Sequence, residues 1–149
     1  MRTTLKNWMI ALVCAVTFSA TAHADNEKPI NVSQLPSAAQ QIIQKNFASH
    51  KVALAKVESG LIEKSYDVIF TNGDKLEFDR NGKWTEISCK TSSVPSALVP
   101  ATIAQYVTTN YPGTNIVQIE RDRKEYDVKL STGLEITFNS KYQVIDIDN

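Results

Sequence analysis

The chain is 149 residues long, with 16 Lys and Arg against 16 Asp and Glu, and 42% of it is hydrophobic. Balanced charge offers no electrostatic footprint for nucleic acid or an anionic membrane surface, and the length suits one ordinary domain with a real core, not two. Cys14 and Cys89 are the two cysteines, which leaves no material for a disulfide framework.

At the N-terminus, Arg2 and Lys6 flank the start of an apolar run from Trp8 to Phe18, and Ala22-His23-Ala24 precedes Asp25. This is the layout of a secretory signal peptide over residues 1–24, cleaved after Ala24, and it predicts a periplasmic or secreted protein. A membrane anchor needs roughly 20 apolar residues, well beyond this run, so no membrane insertion is expected once the leader is gone. Cys14 lies inside the apolar core behind Val13, where a lipoprotein acceptor site wants a small residue, so no lipid anchor is expected. Losing Arg2 and Lys6 leaves a slight acidic excess, and Cys89 becomes the only cysteine. Its plain reading, at the end of the alternating segment Trp84 to Cys89, is a small buried hydrophobe. A bridge between chains and a reactive thiol beside Lys90 are the alternatives.

Residues 25–34 are polar with one proline and are expected to form a flexible N-terminal segment. A first unit follows over residues 35–90. Leu35, Ala39, Ile42, Ile43 and Phe47 recur at the spacing of one helical face, with Pro36 at the start, where a missing N–H costs nothing. A strand is expected from Lys51 to Val57. Tyr66, Val68 and Phe70 then alternate with Asp67 and Ile69 at period two, and Asn72-Gly73 and Asn81-Gly82 read as tight hairpin turns needing positive φ at both turn positions. Residues 91–98 form a short polar linker, and a second unit spans residues 99–149.

The second unit repeats the first. Leu35-Pro36 and Asn46-Phe47 match Val99-Pro100 and Asn110-Tyr111 at an offset of 64, and Tyr66-Asp67-Val68 matches Tyr126-Asp127-Val128 at an offset of 60. Gly73 falls on Gly133, Leu76 on Ile136, Phe78 on Phe138 and Ile87 on Ile147. Val99, Ile103, Tyr106, Val107 and Tyr111 predict the second helix, and Asn115 to Glu120 the strand after it. Lys141-Tyr142 replaces Asn81-Gly82, so the last hairpin should be looser or turned differently. The fold expected is α+β, a tandem repeat of a helix plus a four-stranded antiparallel sheet, with the helices on one sheet face and the other face open.

These residues together resemble the exported PepSY-like family related in fold to β-lactamase inhibitor protein. The resemblance is carried by Leu35-Pro36, Asn46-Phe47, Tyr66-Asp67-Val68, Asn72-Gly73, Leu76-Glu77-Phe78-Asp79, Asn81-Gly82-Lys83-Trp84 and Cys89, then by Val99-Pro100 through Tyr111-Pro112, Tyr126-Asp127-Val128 and Gly133-Leu134-Glu135. It implies tandem units forming one sheet, with helices on one side. Related PepSY domains are thought to restrain peptidases, and the namesake inhibitor clasps an enzyme with its concave sheet. The resemblance therefore implies an inhibitor or regulator of a peptidase or other envelope enzyme, an analogy that rests on fold.

Chemistry is thinly represented in residues 25–149. His50 and Cys89 stand at element ends without a surrounding motif, which points away from a nucleophile–base pair, so no catalytic residue and no enzyme activity is expected. Glu77, Asp79, Glu86, Glu135, Asp146 and Asp148 supply carboxylates on strands, but no calcium-loop spacing or His/Cys cluster occurs, so no metal site is expected. No phosphate-cradling loop occurs either, and no cofactor is expected. What remains is a binding surface for a protein of the cell envelope, with Ile69, Glu77, Lys129 and Glu135 on the open face and Trp84 and Tyr142 near hairpin tips as contact residues. Trp84 equally suits covering the core edge. The alternative function is binding or sensing of a small ligand, and the oligomeric state is left open by the sheet edges.

Overall fold

The computed structural model describes residues 26–149, so the leader expected over residues 1–24 lies outside the described residues. Among the described residues, nine strands form one antiparallel sheet in which every strand lies beside the next in sequence: β1 (Glu27–Ile30), β2 (Val52–Ser59), β3 (Lys64–Phe70), β4 (Lys75–Asp79), β5 (Trp84–Ser88), β6 (Ile116–Arg121), β7 (Glu125–Leu130), β8 (Glu135–Asn139) and β9 (Val144–Asp148). Helix α1 (Ser37–Asn46) comes between β1 and β2, and α2 (Ala101–Asn110) between β5 and β6. The protein is therefore α+β, an open sheet edged by β1 and β9.

The helices form where one face is apolar, and each opens after a proline, whose missing N–H costs nothing there. Ala39 and Ile43 of α1, and Ile103 and Val107 of α2, are buried at i, i+4 spacing. At each C-terminus an asparagine side chain donates to a carbonyl one turn back, Asn46 to Ile42 at 3.1 Å and Asn110 to Tyr106 at 2.9 Å, which ties the side chain to the last turn. The buried helix residues join Val68, Phe70, Leu76, Phe78, Ile87, Ile119, Val128, Leu130, Ile136 and Phe138 in one core. Side chains alternate across a strand, so Asp67, Glu77, Glu86, Glu120 and Asp127 point away from that core, on the side no helix covers.

The segment over residues 25–34 departs from the flexible tail expected of it. Glu27 to Ile30 pairs with Ala55 to Glu58, Lys56 Nζ reaches Glu27 at 2.8 Å, and the Asn31 N–H donates to Gln34 Oε1 at 2.8 Å. A four-residue strand containing Pro29 has too short an alternation to be read from sequence, and proline is tolerated there because β1 is an edge. The linker over residues 91–98 is also tied down: the Val94 N–H donates to Ile116 at 2.8 Å, and Val94 is buried. Pairing of β5 with β6 then joins the first strands and the last into one sheet.

The hairpins turn differently from the expectation. At Asn72-Gly73 the Gly73 N–H donates to Phe70 at 3.0 Å and the Phe70 N–H to Asp74 at 2.9 Å, which makes a three-residue loop. Among described non-glycine residues only Tyr142 has positive φ, so Asn72 and Asn81 do not, and the two-residue turn is corrected to one whose last residue alone is left-handed. The β8–β9 hairpin was expected to be looser; it has the same bonds, with the Tyr142 N–H donating to Asn139 at 2.9 Å and the Asn139 N–H to Gln143 at 2.8 Å. Tyr142 takes φ 60° where Gly82 takes φ 81°. The Asn139 carboxamide oxygen, like Asp79 Oδ1 in the earlier turn, accepts two N–H groups of its loop, and Tyr142 rests on Tyr126 with ring centroids 5.3 Å apart. Those contacts offset a left-handed tyrosine's cost of about 1–2 kcal/mol.

Candidate binding face

Strand register places one row of polar side chains straight across the open face. Lys56 lies opposite Asp67, Asp67 opposite Glu77, Glu77 opposite Glu86, Glu86 opposite Glu120, Glu120 opposite Asp127, Asp127 opposite Thr137 and Thr137 opposite Asp146. Five consecutive strands thus present carboxylates in directly opposed positions, where like charges repel.

The row is neutralised unevenly. On the β2 side, Lys56 reaches Asp67 at 3.3 Å, and Lys75 pairs with Glu77 and stands 3.7 Å from Asp67. Towards β8, Thr137 donates to Asp127 at 2.6 Å. The centre has less: Glu86 accepts from Gln118 Nε2 at 2.9 Å. Desolvation, with the Glu77 charge adding to it, pushes the Glu86 carboxyl up to about 7, and Glu120 is raised by desolvation and by Asp127. The centre of the face therefore holds acid whose ionisation is disfavoured and which an approaching cation would favour.

Four of the six residues expected to make contacts lie on this face. Ile69 is opposite Lys75 and beside Leu54, Glu77 is in the carboxylate row, and Lys129 pairs with Glu135 at 3.0 Å. Trp84 and Tyr142 are elsewhere, on the core side. Trp84 is 5% exposed, with the Arg121 guanidinium 3.9 Å from its ring centroid and Arg121 Nε donating to its carbonyl at 2.7 Å. Glu86 and Glu120 were not singled out as contacts, because their opposition depends on β5 pairing with β6 across the intervening chain of residues 89–115. Glu77 and Glu86 lie beside a bulge between β4 and β5, which sequence alternation does not reveal.

A second polar cluster sits at the β3–β4 turn. Asp74 is fully buried; its Oδ1 accepts the Lys90 N–H at 2.8 Å, and its Oδ2 accepts from Asn72 at 3.0 Å and lies 3.3 Å from His50 Nε2. Phe47 and Phe70 pack on the His50 ring. Cys89 is free and buried beside this cluster, and burial followed by the Asp74 charge pushes its thiol up to about 11. A nucleophilic cysteine needs the opposite shift, so the cluster fastens the turn to β5 instead of activating sulfur. Among the described residues no group of three His, Cys, Asp or Glu side chains is placed to hold a metal ion, and no helix is long and apolar enough to cross a membrane.

A family model described as "Putative beta-lactamase-inhibitor-like, PepSY-like" matches residues 21–59 and 64–146. Among solved structures, a putative periplasmic protein from Bacteroides vulgatus is 57% identical with a TM-score of 0.83, over 85% of this chain and 100% of that one. A putative calcium-regulated periplasmic protein from Bacteroides thetaiotaomicron is 56% identical with a TM-score of 0.82, over 85% and 100%. Another Bacteroides vulgatus periplasmic protein, of unknown function, is 40% identical with a TM-score of 0.77, over 83% and 99%. No curated protein matches the chain.

Proposed function

The chain belongs to the PepSY-like, beta-lactamase-inhibitor-like family, and from that premise we propose that it is a non-catalytic binding module of the periplasm, which engages an envelope protein, such as a peptidase it regulates, through the open sheet face. The carboxylate row across β3 to β7 carries this reading. Stacking like charges costs stability, and the cost is offset when a partner brings cations to Glu86 and Glu120. The Leu54–Ile69 corner beside the row adds an apolar contact, with Leu54 39% exposed. The periplasmic description of the similar structures supports the location, and the sequence pattern of residues 1–24 is that of a leader, which we propose is removed after Ala24. Two diverged copies of one helix and four strands fit the element order, the offset of 60 and the hairpins that share one bonding scheme.

Capture from a periplasmic extract tests this. Wild type should retain a partner that Glu77→Arg and Lys129→Glu lose, while Thr109→Glu on the outer surface of α2 keeps it. Equal retention by all variants would remove the open face from the account.

A second reading, of small-ligand sensing, is favoured by the description of one 56% identical structure as calcium-regulated. Glu77, Glu86 and Glu120 would have to converge on a cation, and doing so would relieve the repulsion described above. A calcium-dependent rise in thermal midpoint, lost in Glu86→Gln, supports this reading; no rise up to millimolar calcium removes it.

A further inference from the structure

At one end of the sheet the β2–β3, β4–β5 and β6–β7 turns gather around a hollow of about 980 Å³. Its aromatic members are Phe78, Trp84 and Tyr126, and its polar lining is weighted to cations: Lys64, Arg80, Lys83, Arg121 and Arg123 against Glu63, Asp79 and Asp122. Two of the three acids are engaged in their own turns. Asp79 accepts the Asn81 and Lys83 N–H groups, and Asp122 accepts those of Lys124 and Glu125. Arg121 is held against Trp84, whereas Arg80, Lys83 and Arg123 are exposed and, among the described residues, make no ion pair. Leu61 and Ile62, side by side in the β2–β3 turn, are 106% and 91% exposed, and Ile62 lines the hollow.

Three exposed cations without an ion pair among the described residues, an aromatic lining and a bare aliphatic pair on one rim define complementary chemistry. We propose that this hollow binds an acidic polypeptide segment in which carboxylates flank apolar side chains. The carboxylates meet Arg80, Lys83 and Arg123, and the apolar side chains cover Ile62 and Leu61. Discrete cations alternating with Asp79, Asp122 and Glu63 suit separate carboxylates better than a continuous polyanion, which those acids would repel, and the aliphatic pair would gain nothing from a free phosphate. This surface is opposite in sign to the carboxylate row, so the two would take different segments, and the inference does not depend on the open-face reading.

Calorimetric titration of the purified protein with acetyl-Glu-Glu-Leu-Phe-Glu-Glu-amide tests it. Saturable binding is expected, weakened at least tenfold by the triple charge reversal Arg80→Glu, Lys83→Glu, Arg123→Glu, weakened also by Ile62→Ser, and unchanged by Thr109→Glu on the outer side of α2. The substituted residues are exposed, and unchanged circular dichroism melts confirm that the variants fold. The analogue with Gln in place of every Glu should bind at least tenfold more weakly. Absence of saturable binding, or equal binding by the triple variant, overturns the proposal. Full displacement by free glutamate would assign the hollow to small carboxylates instead, and binding to vesicles containing phosphatidylglycerol but not to the peptide would assign it to a lipid surface; either result also overturns it.

Discussion

Replacing Glu86 by Gln should raise the thermal midpoint at pH 8 and leave it nearly unchanged at pH 5. In the folded protein desolvation and the Glu77 charge lift the Glu86 carboxyl from 4.5 to about 7. Between those values the folded chain holds a proton that the unfolded chain has released, so stability from this group is fully present below about pH 4.5 and is lost as pH rises through about 7. The full linkage is about 3.4 kcal/mol at 1.36 kcal/mol per pH unit. Glu86 is only part-buried and Lys75 opposes the shift, so solvent screening leaves about 1–2 kcal/mol. For a domain of this size that corresponds to a midpoint roughly 4–8 °C lower at pH 8 than Glu86 would give if it stayed neutral. Glutamine keeps the shape of the neutral acid and can still accept from Gln118, which now lies 2.9 Å from Glu86 Oε1. Differential scanning fluorimetry of wild type and Glu86→Gln at both pH values measures the effect. A variant equal to or below wild type at pH 8 would refute the reasoning, since it would mean that the ionised carboxylate is not a burden on this face.

Three further outcomes follow from the packing. At Gly82 an added Cβ would stand 2.8 Å from Pro36 Cβ and 2.9 Å from the Ala39 nitrogen, whereas at Gly133 nothing lies within 4 Å; both have positive φ. Denaturant unfolding should therefore show Gly82→Ala losing about 2–4 kcal/mol and Gly133→Ala only about 1 kcal/mol. Asp74→Ala removes the acceptor of the Lys90 N–H and of the Asn72 amide, and should cost about 1–3 kcal/mol in the same assay. The Cys89 thiol, raised to about 11, should react with a disulfide reagent at pH 8 at least about 100-fold more slowly in the folded protein than in denaturant.

Local periodicity made much of this fold legible. The i, i+4 spacing at Ala39 and Ile43, and again at Ile103 and Val107, marks both helices, and the alternation at Tyr66, Val68 and Phe70 marks the strand and its buried side. Strand β1 was not legible, because its placement depends on β2 as a neighbour and not on a pattern of its own. The turns were misread at Asn72 and Asn81: an Asn-Gly pair suits either a two-residue turn or a three-residue loop ending in glycine, and the strand twist decides between them. Tyr142 shows the same limit, since Asn139 and Tyr126 hold a left-handed tyrosine that sequence alone would not place there. On the open face, Ile69, Glu77, Lys129 and Glu135 could be assigned by alternation. The opposition of Glu86 and Glu120 could not, because it arises only when β5 pairs with β6, and Trp84 was drawn inward by the core and by Arg121.

Site-specific photocross-linking in the envelope tests the open face most directly. A photoreactive residue at position 77 or 129 on that face should cross-link to a partner protein, and one at position 109 on the outer side of α2 should not. Cross-linking at position 109 alone, or at none of the three, would contradict a binding module that works through its open sheet.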